Sequence, residues 1–279
     1  MLGAMSPRVT LVTGATDGIG KQTARLLARR GHYVIVHGRS LEKVQAVCDL
    51  LAREAPGAPV GACVADLALL DEVQDAARYL LEDNPVIDVL VNNAAVVQPT
   101  RSLTSQGWER TLMVNHLAPF ALTHLLLPAL RKSAQGRVVN VSSMAHRNGR
   151  IVLGDLHLAR GAYEPYQAYA NSKLANVLFT FELARRLKDT AITVNALHPG
   201  VIATKLLSDG LGFGGGGDVE RGARTSVMLA DDPALAGVTG RYFEDERASL
   251  ANDRAHDEAL QRAFYEASAK LVGVATLPG

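Results

Sequence analysis

Tyr169 and Lys173 stand four residues apart in "AYANSKLAN" (168–176), a stretch that otherwise reads as a buried helix. That spacing puts phenol and ammonium on one helix face, one turn apart. A lysine on an apolar face is costly unless something uses its charge. A free tyrosine titrates near ~10, and an ammonium beside it would draw that value down towards working pH, making the phenol a proton donor and acceptor. Tyr163 and Tyr166 lie in the same region, but only Tyr169 is one turn from the lysine. With that pair supplying the proton chemistry, His146, His157 and His198 are expected to line loops or the pocket rather than act as general bases.

A second cluster is "TGATDGIG" (13–20), which follows an apolar run and opens a helical pattern. Gly14, Gly18 and Gly20 let the backbone turn tightly and approach a pyrophosphate, with a helix N-terminus supplying donors. At the end of the next strand stand Gly38, Arg39 and Ser40. An acid there would hold a ribose 2′-hydroxyl; Arg39 instead offers a fork for a 2′-phosphate, which favours NADP(H) over NAD(H). Asp17, in the glycine turn, weighs the other way.

These residues need a scaffold, and the chain supplies one. Apolar, β-branched runs at 8–14, 33–38, 58–67, 86–95, 136–143 and 191–200 alternate with helical patterns near 19–30, 40–54, 70–83, 105–133 and 163–188. A seventh strand is expected at 240–244 and a last helix near 252–271. Ser40 can cap the second helix. Apolar strands alternating with helices predict an α/β fold, a doubly wound parallel sheet of about seven strands with helices on both faces. No linker interrupts the pattern, so residues 1–279 are expected to form a single domain, with 8–143 binding cofactor and 144–279 carrying catalysis and substrate. A parallel sheet takes ligands beyond the carboxyl ends of its strands. Gly14, Asn92, Ser143 and Pro199–Gly200 all fall at such ends, so one crevice can collect them with Tyr169 and Lys173. Strand alternation turns one of Ser142 and Ser143 away from it.

The bulk properties exclude several classes. Net charge is +1, from 29 basic and 28 acidic residues, and no dense Lys/Arg run marks a nucleic-acid surface. Cys48 and Cys63, the two cysteines, lack metal-ligand spacing and read as reduced core thiols of a cytoplasmic protein. No metal site and no membrane span are expected. Two irregular insertions flank the crevice, 144–162 and 205–218, the latter with "GLGFGGGG", which suits a lid or a passive loop equally. Met144, Val152, Leu153, Leu156, Leu206, Leu207, Leu211 and Phe213 would give a mainly apolar mouth.

TGxxxGxG, NNA, a helical Asn, Ser, YxxxK and a PG turn, in this order and across nearly the whole chain, resemble the short-chain dehydrogenase/reductase family. "RVVNVSSMAH", "SKLANVLFTFELARRL" and "HPGVIATKL" are similar to its retinol dehydrogenase and WW-domain oxidoreductase branch. The resemblance implies a Rossmann-type fold and an NADP(H)-dependent oxidoreductase moving hydride between nicotinamide and a lipophilic aldehyde, ketone or alcohol. It assigns Tyr169 as acid/base, Lys173 as its ribose-binding partner, Ser143 as the hydroxyl that orients the carbonyl, and Asn115 as a proton-relay residue. The cofactor set it implies begins with Gly14, Thr16, Asp17, Gly18, Ile19 and Gly20. It continues with Arg39, Asp66 at the adenine, Leu67, Asn92, Asn93 and Ala94, and ends with Tyr169, Lys173, Pro199, Gly200, Val201 and Thr204. Ala95 replaces the family's usual glycine, and Asn171 a commoner small residue. A homodimer, as in many relatives, is compatible with this pattern. Two other readings are a cofactor-binding regulator or scaffold without turnover, and an epimerase or dehydratase with the same fold.

In "VNHLAPF" (114–120), Pro119 lies four residues after Asn115. Proline has no N–H, so the Asn115 carbonyl loses its helical partner, and a kink is expected there.

Overall fold

The computed structural model describes residues 6–210, 212 and 215–279. Among the described residues eight strands form one sheet: β1 (Val9–Val12), β2 (Tyr33–Gly38), β3 (Val60–Val64), β4 (Val89–Asn92), β5 (Arg137–Val141), β6 (Thr193–His198), β7 (Arg241–Glu244) and β8 (Arg247–Ser249). Their order is β3-β2-β1-β4-β5-β6-β7-β8. The seven expected strands pair in parallel; β8, which the sequence pattern did not reveal, folds back antiparallel to β7.

Helices cover both faces because successive residues of each strand point to opposite sides. On one face Leu11, Ile35, Leu90 and Val138 meet apolar residues of α3 (Leu70–Asp83), α5 (Ala118–Leu130), α6 (Pro165–Arg186) and α8 (Glu258–Val272). On the other, Val12, Val34, Val36, Val91 and Val139 meet α1 (Gly18–Arg29), α2 (Leu41–Glu54) and α7 (Val219–Asp231). Being buried on both sides is what makes the strands read as unbroken apolar runs.

The ends of the helices follow their local chemistry. Asp17 caps α1, its carboxylate accepting from Gly18 N, and Ser40 caps α2 through Lys43 N. Gly31 follows α1 at φ +85°, a conformation open to glycine. Helix α7, capped by Asp218, occupies residues left unassigned by the sequence pattern.

The long apolar segment expected at 105–133 is a short α4 (Arg110–Leu112), a π-helical turn (Met113–Leu117) and α5, run together. In the π turn Ala118 N donates to Met113 O, five residues back. The irregularity expected at Asn115 is therefore a π turn centred on that residue. Taken as one helix, Arg110–Leu130 is long and apolar enough to cross a membrane by length and composition, but 83% of its most apolar window is buried inside the protein.

The sheet's winding reverses between β1 and β4, where chain leaves neighbouring strands in opposite directions. This is where an open α/β sheet forms a crevice.

Candidate active site

A cleft of about 360 Å³ opens at the carboxyl ends of the strands. It brings together Gly14, Thr16, Asp17, Gly18, Ile19 and Gly20 from the glycine turn, and Arg39 from the end of β2. Asp66 and Leu67 follow β3, Asn93 and Ala94 follow β4, Tyr169 and Lys173 come from α6, and Pro199 and Thr204 follow β6. Gly200 and Val201 sit beside Pro199 in the chain but outside the lining, with Val201 half exposed.

The glycine turn needs its glycines. A Cβ on Gly14, at φ +63°, would stand 2.8 Å from Ala94 Cα. One on Gly20 would strike the Gly14 carbonyl and the Asn93 amide. Asn93 braces the turn from below, its Nδ2 donating to Thr13 O at 2.8 Å and Gly14 O at 3.3 Å.

Its neighbour Asn92 has another job. Alternation turns Asn92 into the protein, where Nδ2 donates to Asn140 Oδ1 and Thr123 Oγ1. Asn92 therefore lies outside the cleft lining in which it was expected, whereas Asn93 is part of it. Asp66 shapes its own turn, Oδ1 accepting from Ala68 N at 2.9 Å. Arg39 stands exposed at the cleft edge.

At the other end of the cleft, Tyr169 is 7% and Lys173 2% exposed. Lys173 Nζ donates to Val141 O at 3.0 Å and lies 5.5 Å from the centre of the Tyr169 ring. Ser143 lies close enough to the Tyr169 phenol to favour its ionised form, while its Oγ accepts from Ala145 N. Ser142 points the other way and donates to the Lys173 carbonyl at 2.8 Å. The Ser142 hydroxyl is thus occupied and the Ser143 hydroxyl is the one beside the phenol, although the lining of the cleft includes Ser142 and not Ser143.

The titration of the pair runs against the expectation. Burial pushes the Tyr169 phenol up to about 12, against the smaller opposite effect of Ser143, and pushes Lys173 down to about 7. In this closed wall, losing water penalises each charged form more than the neighbours restore. Spacing along a helix shows who the neighbours are; it does not show how little water reaches them.

Asn115 is fully buried behind the cleft wall. Its Oδ1 accepts from Val96 N at 2.7 Å, and its Nδ2 donates to Val96 O at 2.9 Å and Ser172 Oγ at 3.0 Å. Ser172 in turn donates to Tyr169 O at 2.7 Å, so the π turn, the loop after β4 and the Tyr169 turn of α6 are one hydrogen-bonded unit. Ser172, inside the YxxxK run, went unnoticed in the sequence.

The remaining candidates sort plainly. Tyr163 donates to the buried carboxylate of Glu109 at 3.0 Å, and Tyr166 accepts from Asn148. His146 binds the Ser143 carbonyl through Nδ1, and none of His146, His157 and His198 lines the cleft. Asn171 accepts from Arg150 N at 2.7 Å and so ties the 144–162 segment to α6. Of the expected mouth, Leu206 lines the cleft; Met144, Val152 and Leu153 are exposed but outside its lining, and Leu156 packs against the core. The Leu207 side chain, Leu211 and Phe213 lie outside the described residues. His37, Gln98, Arg110 and Lys205 also line the cleft, although nothing in the sequence pattern marked them. Among the described residues no cluster of His, Cys, Asp or Glu could hold a metal ion.

A family model for short chain dehydrogenases matches residues 8–210. Retinol dehydrogenase 13 of Homo sapiens is 40% identical over 282 residues, covering 96% of this chain and 85% of the relative. Retinol dehydrogenase 14 of Homo sapiens is 37% identical over 297 residues, covering 98% and 88%. Among solved structures, a protein from Mycobacterium paratuberculosis has a TM-score of 0.81 at 35% identity, covering 99% of this chain and 98% of its own. A short chain dehydrogenase from Shigella flexneri complexed with NADP has a TM-score of 0.69 at 28% identity, covering 86% and 97%. Sheet order, glycine turn, Tyr–Lys pair and these matches agree: the chain belongs to the short-chain dehydrogenase family and is an oxidoreductase.

Proposed function

We propose that this protein is an NADP(H)-dependent oxidoreductase that interconverts a lipophilic aldehyde or ketone and its alcohol, with Tyr169 as acid/base. The observation that carries the reading is the Tyr169 phenol set beside Ser143 and Lys173 at one end of a cleft whose other end is the glycine turn.

The residues present fit a dinucleotide. The turn is packed too closely at Gly14 and Gly20 to admit any side chain, and Asn93 and Thr13 hold that tight shape beside the cleft. Gly14, Thr16, Gly18, Ile19 and Gly20 would face the pyrophosphate at the N-terminus of α1. Asp66 and Leu67 would meet the adenine, Arg39 the 2′-phosphate, and Thr204 and Pro199 the nicotinamide end. Bound nicotinamide gives or takes the hydride.

In reduction, Ser143 Oγ hydrogen-bonds the carbonyl oxygen and Tyr169 Oη gives it a proton. A phenol pushed up to about 12 keeps that proton at neutral pH, which suits this direction. Lys173, held on Val141 O, supplies the positive charge that steadies the phenolate left behind. In oxidation the same groups run in reverse, Tyr169 accepting the alcohol proton. Arg39, with no carboxylate beside it at the end of β2, supports NADP(H) over NAD(H), and a solved relative described as complexed with NADP agrees. Val96, Val114 and Leu206 in the cleft lining support an apolar substrate, as does the word retinol in the relatives' names. Two free, buried thiols suit a cytoplasmic protein.

The test is a panel of aldehydes and ketones with NADPH consumption as the readout, run beside Tyr169→Phe. The variant is expected to bind NADPH and turn over nothing. Near-normal kcat in Tyr169→Phe on any good substrate overturns the mechanism.

A further inference from the structure

His37 stands one residue before the end of β2 and is 3% exposed. Two consecutive amides of the glycine turn end on it. Ala15 N donates to the His37 carbonyl at 2.9 Å, and Gly14 N donates to ring Nδ1 at 3.2 Å. The other end of Gly14 is held too, its carbonyl accepting from Asn93 Nδ2 at 3.3 Å. Gly14 is therefore clamped by two side chains in its φ +63° conformation.

The ring's chemistry follows from the contact. A neutral imidazole has one N–H, so with Nδ1 accepting, the proton is on Nε2. Burial pushes His37 down to about 4, outweighing the Ala65 backbone and the Asp66 carboxylate, so the ring is neutral around pH 7 and its Nδ1 lone pair stays available. Nε2 is buried with no hydrogen bond of ordinary length among the described residues, the Ala65 backbone lying near the ring. An apolar side chain, like the valines beside it in "YVIVHG", would be cheaper to bury at this position. A buried polar atom left unpaired calls for a reason, and the acceptor on the opposite side of the ring supplies it.

We infer that His37 is a positioning residue of the cleft: its ring holds the Gly14 amide and so presets the glycine turn for a dinucleotide. It touches no reacting atom. Without the acceptor, the Gly14 N–H is left unpaired, the turn relaxes, and binding must re-form it at the cost of affinity. The inference rests on reading the cleft as a dinucleotide site.

His37→Asn and His37→Leu test it, because the two are nearly equal in shape and only Asn puts an acceptor, Oδ1, where Nδ1 was. NADPH affinity is measured by fluorescence titration, and exchange of the Gly14 amide by NMR in the cofactor-free protein. His37→Leu is expected to bind NADPH about tenfold more weakly, with faster Gly14 exchange. His37→Asn is expected to recover most of the affinity and the protection. Equal affinities in the two variants, or wild-type affinity in His37→Leu, overturn the assignment. If His37→Leu does not fold, tenfold weaker binding by a folded His37→Asn overturns it as well. A wild-type protein that binds neither NADPH nor NADH overturns the dinucleotide reading, and this inference with it.

Discussion

Asp17 and Lys205 meet at 3.1 Å, a carboxylate of the glycine turn paired with an ammonium of the loop that follows β6. Asp17 uses its other oxygen to accept from Gly18 N at 2.8 Å, capping α1. The hydrogen bond from Lys205 is the largest influence holding the Asp17 carboxyl below the usual carboxylate range. A negative charge where phosphates are expected is thereby neutralised from across the cleft, which answers the objection that Asp17 raises in the sequence.

Removing either charge should move NADPH affinity in opposite directions. Asp17→Asn keeps a capping side chain and frees Lys205, so binding tightens; Lys205→Met leaves Asp17 unpaired, so binding weakens. Both residues are largely exposed, so each effect is small, about two- to fivefold, and shrinks as salt is raised. Titrations at low and high salt check this. Tighter binding by Lys205→Met would mean that the pair does not face the cofactor.

Lys173 gives the cofactor-free protein a pH signature. Its group titrates near ~10.4 when unfolded and is pushed down to about 7 when folded. Between those values the unfolded chain holds the extra proton, so this residue makes stability rise with pH from about 7 upward. One proton sets the limit, about 1.4 kcal/mol per pH unit. Lys173→Met, of similar length without the charge, should lose that component. Urea unfolding of both proteins at pH 7 and pH 8.5 tests it, and parallel curves would show that Lys173 is hydrated in solution.

Much of this was legible in the chain because strands and turns write locally. The alternation that ties up the Ser142 hydroxyl and leaves Ser143 partly exposed is a two-residue pattern, and so is the one that separates Asn92 from Asn93. The glycine turn and the Tyr169–Lys173 spacing are equally local. What escaped depends on distance in sequence. Lys205 meets Asp17 across 188 positions (205 minus 17), and His37 reaches Gly14 across 23. The direction of the Tyr169 titration escaped for another reason: burial is set by the whole wall, and "AYANSK" carries no sign of it.

Cofactor choice should turn on Arg39. Arg39→Ala removes the one cation at the end of β2 that faces the cleft, and a 2′-phosphate is the cofactor group it would meet. NADPH affinity should fall about tenfold, the low end for a charge-assisted contact because Arg39 is exposed, while NADH affinity barely changes. Paired titrations with the two cofactors decide it. Equal losses would place Arg39 away from the 2′-phosphate.

Pro119 should act on catalysis through the π turn. It cannot donate to the carbonyl of Asn115, and the turn Met113–Leu117 carries one extra residue just ahead of it. That extra residue sets the direction in which Asn115 leaves the helix, towards Val96 and Ser172 rather than along the α-helical register. Pro119→Ala restores an N–H four residues after Asn115 and so favours an ordinary α-turn. Returning to that register would swing the Asn115 side chain off Val96 and loosen its hold on Ser172 and the Tyr169 backbone. The expected result is a stable protein with intact NADPH affinity and kcat reduced about tenfold, the scale of losing one well-placed hydrogen bond near the proposed proton donor. Asn115→Ala should lower kcat by a similar factor, and the double variant should add little, since both remove the same contact. Unchanged kcat in Pro119→Ala would mean that Asn115 and its three hydrogen bonds hold the π turn without the proline.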